Sequence, residues 1–278
     1  MFEQAIRELE DSRDLVGEPR SFQGYIADQD IRNSRTAQYI SINSLTDLNA
    51  ELRDSNCMVF RLGSPPRSRN TYFALAKVNE DWSDYFLIDE DLFGNTDVEV
   101  YLPSASVRSL FSYQLLPKLT ETSLVNLALA SGLLPQALGI SAGQDQVIPA
   151  TGQSVFTFDF QPISSCDKML THNKGQVEID ALFVGHRNGK ECLFVIEAKS
   201  SKELGSLAKH KLLYPFLAVQ NKIPSYMEVV PVYLRAVRKK GYIEFNIAEC
   251  TLPKKDGVIG ALDQLKSKKI TRYSLHVY

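Results

Sequence analysis

The sequence predicts an α/β fold, a mixed sheet flanked by helices, preceded by an N-terminal α+β region. Three observations predict it. Short apolar runs of strand character recur along the 278 residues. Two of them, QVEIDALFVG and ECLFVIEAKS, flank an Asn188-Gly189 bend. The helix-like segment LAKHKLLYPFLAVQNK then separates the second run from a further one, EVVPVYLRAV, which reads as an α/β unit with a mixed sheet. A composition of 44% apolar and 23% charged residues suits a folded chain rather than a disordered one.

In chain order, residues 1–16 read as an amphipathic helix, and Asn43 to Arg53 as a second, with Asn43 or Ser44 as its cap. CMVFRLG and NTYFALAKV read as strands around the loop GSPPRSR, where Pro65 and Pro66 cannot continue a central strand. YFLIDEDLF and VEVYLP supply further strands. This N-terminal α+β region spans 1–117, leaving 118–278 as the second region. There, Thr120-Glu121 opens the apolar helix SLVNLALASGLL, closed by Gly132 or Pro135. GISAGQDQVIPATGQS reads as a loop, SVFTFDF as a strand, and YIEFNIAEC as a strand after EVVPVYLRAV.

Several function classes are disfavoured. MFEQAIRELE lacks the apolar run of a signal peptide, and SLVNLALASGLLPQALGI is too short and too interrupted to cross a membrane, so a cytoplasmic chain with no membrane partner is expected. Cys57, Cys166, Cys192 and Cys250 form no CxxC, and the four histidines no ligand pair, so zinc is not expected. The formal net charge of −2 hides an asymmetry: residues 199–278 carry a net +9 and residues 1–198 a net −11. A basic partner surface would therefore be C-terminal.

The Asn188-Gly189 bend fixes a register, because both positions tolerate the positive φ of a type I′ turn. Arg187 then faces Lys190, Leu182 faces Val195, Asp180 faces Glu197, and Glu178 faces Lys199. All four charges fall on one face at the far end of the hairpin. The other positions are apolar on both faces, as in a sheet interior. Directly opposed carboxylates repel when partly desolvated, so Asp180 and Glu197 need a neutralising partner. Mg²⁺, which accepts one or two carboxylates plus waters, is one; a strand-end salt network in which Glu178 pairs with Lys199 is the other.

VEIDALFVG followed by LFVIEAKS resembles the core of the PD-(D/E)XK nuclease superfamily, over about residues 118–250. The resemblance implies a restriction-endonuclease-like core. It places Asp180 and Glu197 as metal ligands, the main-chain carbonyl of Ala198 as a third, and Lys199 as the catalytic lysine. The metal would be Mg²⁺, with Mn²⁺ as a substitute. An auxiliary acidic residue is common in the family; Glu121 at the start of its helix and Glu178 both suit it. AKHKLLYPF resembles the QLYYPY-like segment of some restriction-type members, with Lys211 at the Gln position, while His210 reads as helix surface.

Phosphate contacts would come from Lys202, Lys209, Lys211, Arg235 and Arg238, with Lys239, Lys240, Lys266, Lys268, Lys269 and Arg272 in the same basic region. Arg67 and Arg69, with Arg61 and Asn70, could read base edges from a stiff loop or simply face solvent. The aromatic residues follow strand spacing and read as core. The expectation is a Mg²⁺-dependent endonuclease acting on double-stranded DNA, a type II restriction enzyme working as a homodimer. A structure-specific or repair nuclease and a catalytically idle DNA-binding protein on the same fold stand as alternatives.

Overall fold

A computed structural model describes residues 1–276 apart from 32–35, 104–106, 142–146, 252–253 and 256–257. The middle of GISAGQDQVIPATGQS thus lies outside the described residues. Helix α1 is Glu3–Ser12, β1 Cys57–Gly63, β2 Tyr72–Lys77, β3 Phe86–Ile88 and β4 Glu99–Tyr101. Helices α2 (Glu121–Ala130) and α3 (Leu133–Leu138) follow, then β5 (Ala150–Phe160), β6 (Leu170–Arg187), β7 (Lys190–Ser201) and β8 (Ser206–Ala208). Helix α4 (His210–Val219) leads to β9 (Glu228–Lys239), β10 (Tyr242–Thr251) and β11 (Lys266–His276).

Among the described residues one ten-stranded mixed sheet dominates, in the order Arg20–Ser21, β2, β1, β6, β7, β9, β10, β11, β4, with β5 paired to β6 off this path. Helix α4 is the crossover between the parallel strands β7 and β9. Two buried apolar clusters form the core. One joins α2 and α3 to Phe183, Phe194, Ile196, Ala198 and Leu234. The other joins α4 to α1, β1, β2 and Tyr233. The N-terminal strands therefore share a sheet and a core with the rest of the chain.

That junction is narrow. β1 meets β6 in a parallel pairing at Gly63 and Asn173. Gly63 has φ +71, and a Cβ built on it would lie 2.1 Å from the Asn173 carbonyl oxygen. Glycine is required twice there, for the left-handed backbone and for the close approach.

The Asn-Gly bend forms as the residues dictate, with φ 53 at Asn188 and 74 at Gly189. Arg187 pairs with Lys190, and the register holds through Leu182–Val195 to Ala181–Ile196. Other expectations change. Helix α1 ends at Ser12, where Arg13 turns left-handed at φ 60. The expected helix 43–53 is two pieces: a short 3₁₀ turn at Leu45–Asp47, then Ala50–Asp54 capped by Asn49, whose side chain accepts from Glu51 N. Gly132, left-handed at φ 82, ends α2, and Pro135 sits inside α3. Residues 150–154, read as loop, already belong to β5. Leu207 and Ala208 are strand, so α4 starts only at His210. The basic segment from Lys266 is an edge-proximal strand, β11, paired to β10 and β4. The hairpin is buried on both faces only in β7; Val184 of β6 is 43% exposed, because the β5 pairing ends at Leu182.

Candidate active site at the open end of the hairpin

Beyond Ala181–Ile196 the two hairpin strands no longer pair residue to residue. The Asp180 carboxylate fills the gap: its Oδ2 accepts the Ala198 N–H at 2.8 Å. A side chain thus replaces a ladder carbonyl and ties Asp180 to the spacer residue between Glu197 and Lys199. Asp180 is 7% and Glu197 2% exposed, so two carboxylates are withdrawn from water.

Glu197 lies beside Tyr233 in the β7–β9 register and shares its side of the sheet with α4. Its Oε1 is 2.9 Å from Lys199 Nζ and 3.9 Å from Lys211 Nζ, the latter contributed by α4. Lys199 Nζ also donates to the Ala198 carbonyl at 3.0 Å and lies 3.4 Å from Glu121 Oε2. Glu121 is delivered by the N-terminus of α2, where the Thr120 hydroxyl accepts from Ser123 N. Such a cap is worth about 1 kcal/mol to the helix. The other oxygen of Glu121 accepts from Ser200 N at 3.3 Å, clasping the helix start to the end of β7.

Burial pushes the Glu197 carboxyl up to about 7; Lys211 and Lys199 oppose that rise and the Asp180 charge adds to it. Burial works against the Lys199 ammonium, but Glu197 and Glu121 outweigh it and hold its pKa above the ordinary lysine value. Lys199 is therefore a fixed cation, suited to stabilising negative charge and unsuited to accepting a proton.

Three carboxylates, Asp180, Glu197 and Glu121, stand against two ammonium groups, Lys199 and Lys211, so the cluster carries one negative charge in excess when Glu197 is ionised and is balanced when burial keeps Glu197 protonated. Its donors are hard oxygens: two carboxylates and the Ala198 carbonyl that Lys199 already contacts. This donor set fits Mg²⁺, which completes its shell with water and substrate oxygens. It does not make an all-protein cage; among the described residues no group of three or more His, Cys, Asp or Glu is placed to hold a metal ion.

Of the predicted site residues, then, Asp180, Glu197, Ala198, Lys199, Glu121 and Lys211 come together. Glu178 does not. It is exposed on β6 opposite Gln153 of β5, and Lys199 pairs with Glu197 and Glu121 instead, which corrects the expected Glu178–Lys199 pair.

The basic residues divide sharply. Lys202, Arg67 and Arg69 are exposed. Lys209 is 3% exposed and its Nζ donates to the Asp263 carbonyl at 2.9 Å; Arg235 is 7% exposed, its Nε 2.8 Å from Asp89 Oδ2. Both were expected to bind phosphate, and burial against internal partners corrects that. Arg238 donates to the Leu119 carbonyl at 3.0 Å and to the Pro117 carbonyl at 3.4 Å, pinning the approach to α2. Lys269 donates to the Ala137 carbonyl at 2.7 Å, and Arg272 to Glu244 Oε1 at 2.6 Å. Part of the C-terminal charge excess is thus spent inside the fold, while Lys239, Lys240, Lys266, Lys268 and Lys269 stay exposed. His210, read as helix surface, has its Nδ1 enclosed and without a hydrogen-bond partner.

No helix among the described residues is long and apolar enough to cross a membrane. No curated protein and no solved structure matches the chain significantly. One family model does, over residues 95–269, a span that holds Glu121, Asp180, Glu197, Lys199 and Lys211 and leaves out Arg67 and Arg69. With well over half its length matched, the chain belongs to the family described as a domain of unknown function, DUF6997.

Proposed function

We propose that the chain is a divalent-metal-dependent endonuclease that hydrolyses DNA phosphodiesters, on a core like that of the PD-(D/E)XK nucleases. The observation that carries the reading is the convergence, at the open end of one hairpin, of two buried carboxylates, a spacer carbonyl and a permanently charged lysine. A bound cation would hold Glu197 in its charged form at neutral pH, where burial alone favours the protonated acid.

Asp180, Glu197 and the Ala198 carbonyl would hold Mg²⁺ or Mn²⁺. When bound, the metal supplies a Lewis acid for phosphoryl oxygens and acidifies a water molecule. The remaining work falls to the chain. Lys199 Nζ donates to a non-bridging phosphate oxygen and stabilises the charge that builds there as the water oxygen bonds to phosphorus. The bond from phosphorus to a bridging sugar oxygen breaks; the water gives up one proton to solvent and the departing oxygen gains one, so atoms and charge balance. Lys211 offers a second cation beside Glu197, and Glu121 holds the Lys199 ammonium in place through their 3.4 Å contact. Lys202, Arg67 and Arg69, with Lys239, Lys240, Lys266, Lys268 and Lys269, are exposed cations for phosphate or base contacts.

Double-stranded DNA cut at a fixed site, by two copies acting together, is the most specific form of this reading. The terminal strand β4 supports pairing of copies, with Val100 65% and the following Leu102 83% exposed. A plasmid-nicking assay with Mg²⁺ and with EDTA, on wild type and Lys199→Ala, tests the activity. Metal-dependent nicking lost in the variant is the expected result; no nicking of any mixed-sequence DNA would leave an idle DNA-binding fold. Defined fragment ends on genomic DNA would point to restriction, and preference for branched DNA to repair.

A further inference from the structure

The sheet has open edges at which a second copy of the chain could add its own strand, and they differ in their distance from the carboxylate cluster. Among the described residues β4 pairs only with β11, β5 only with β6, and the remaining terminal strand, Arg20–Ser21, is two residues long. Asp180 lies on β6 between the register pairs Ala150–Leu182 and Gly152–Ile179, so Thr151 is the β5 residue beside it. The free edge of β5 is thus one strand from the cluster.

That edge is unguarded. Edge strands are ordinarily protected from pairing by lysines, prolines, bulges or brevity. β5 runs for 11 residues, and ATGQSVFTF, residues 150–158, carries neither a charge nor a proline. Both irregularities in the β5–β6 pairing place the extra residue on β6, which leaves β5 regular. Its far end is anchored, with the Phe158 and Phe160 rings against Tyr214 of α4. Residues 150–155 are all exposed, Val155 to 63%. A strand held at one end and bare at the other is a template for β-augmentation.

We infer that β5 is where a second copy of this chain docks, strand against strand, bringing two carboxylate clusters to one duplex. A two-fold axis joins identical edges only in antiparallel register, with one residue opposite itself. Centred on Gln153, the pairing sets Gly152 against Ser154 and Thr151 against Val155, so no like charges meet. The axis is perpendicular to the sheet and keeps both clusters on the same face. The two Asp180 residues then stand three strand spacings apart, about 14 Å across the sheet and about 20 Å overall with the offset along the strands. Pairing through β4 would put β7, β9, β10 and β11 of each copy between the clusters, about 50 Å in all. A major groove is about 12 Å wide, so the β5 arrangement is the one that sets a cluster at each strand of a short stretch of DNA. The preference for β5 over the apolar β4 edge rests on the nuclease reading; the unguarded edge does not.

Sedimentation of the full chain over a concentration series, in EDTA, tests the pairing apart from any reaction. Wild type should form a dimer. The double variant Gln153→Lys, Val155→Lys gives the edge the charge it lacks and should raise the dissociation constant by about tenfold or more. Its melting temperature should stay close to wild type, because both side chains are exposed. Val100→Lys on β4 should leave the dimer intact. A wild type that is monomeric throughout, or a dimer that survives the β5 lysines, would overturn the inference. Plasmid cutting with Mg²⁺ then separates the two readings. The β5 lysines should convert linear product into nicked circles, and linear product from a monomeric variant would remove the shared duplex. A β5 dimer without nicking would keep the interface and remove the nuclease; nicking by a monomeric wild type would do the reverse.

Discussion

One strand separates two buried charge clusters of opposite character. In the β7–β9 register Glu197 lies beside Tyr233 and Lys199 beside Arg235. On β9 the network is closed. Asp89 binds Arg235 Nε at 2.8 Å, the Tyr233 hydroxyl at 2.8 Å and Gly205 N at 2.6 Å, and Arg235 also reaches the Ser206 carbonyl at 3.0 Å. One negative charge meets one positive charge, and every group has a partner. On β7 three carboxylates face two ammonium groups. The β7 cluster is also the shallower one, with Glu121 36% and Lys199 21% exposed against 0% for Asp89, so depth and charge balance together separate two sets of similar residue types. The balanced network fixes a strand pair, whereas the β7 cluster balances only while Glu197 holds its proton, which is the difference the proposed metal site exploits.

The comparison can be broken most directly at Asp180. Asp180→Asn should lower metal-dependent nicking by about 10³-fold, worth about 4 kcal/mol of barrier. Its melting temperature should stay close to wild type, since the amide oxygen can still accept from Ala198. A variant that unfolds would put Asp180 in the same class as Asp89. On the closed side, Arg235→Ala strands Asp89 without a counter-charge at 0% exposure, and should cost about 3–5 kcal/mol in urea unfolding. A loss below about 1 kcal/mol would erase the contrast.

A smaller effect lies on the acid side. Burial pushes His210 down to about 3, with the Lys211 and His172 charges adding to it, against 6.5 for a free histidine. Between those values the unfolded chain binds a proton that the folded chain refuses. The contribution is therefore complete above pH 6.5 and is lost as pH falls toward 3. Unfolding followed from neutral pH to about pH 4 should show an acid-side loss, on the order of 3 kcal/mol, that His210→Gln removes. The finest contrast is between two lysines. Lys202→Ala should reduce the salt slope of DNA binding by about 0.9. Lys209→Met should leave it unchanged, because the Lys209 amine, pushed down to about 8 by burial, donates to Asp263 inside the fold.

Local signals were the legible ones. Asn188-Gly189 allowed the hairpin register to be read, because a two-residue bend leaves no freedom in pairing. Thr120 ahead of an apolar run marks the opening of α2, and it caps that helix. Signals that depend on packing were silent. Nothing in the order of residues says that Arg235 and Lys209 turn inward while Lys202 stays out, since a long basic side chain can snorkel either way and its partners, Asp89 and Asp263, are distant in sequence. The divergence of the hairpin beyond Ala181 was equally hidden. Strict alternation put Glu178 opposite Lys199; the Asp180 carboxylate bonding to the Ala198 amide breaks that alternation. Between Glu121 and Glu178, joined to Lys199 and not joined, only the placement of α2 decides. A cavity lined by Arg61, Gln176, His210 and Tyr214 left no trace in the sequence, because its walls converge from four separate stretches of the chain.

Gly63 gives the sheet an unusual dependence. The pairing of β1 to β6 runs through a contact too close for any carbon beyond the α position. The continuity of ten strands, and with it the alignment of Arg61 across from the β6 wall, hangs on a single hydrogen atom. Even alanine would act as a wedge there, prising the N-terminal strands away from the family-matched body.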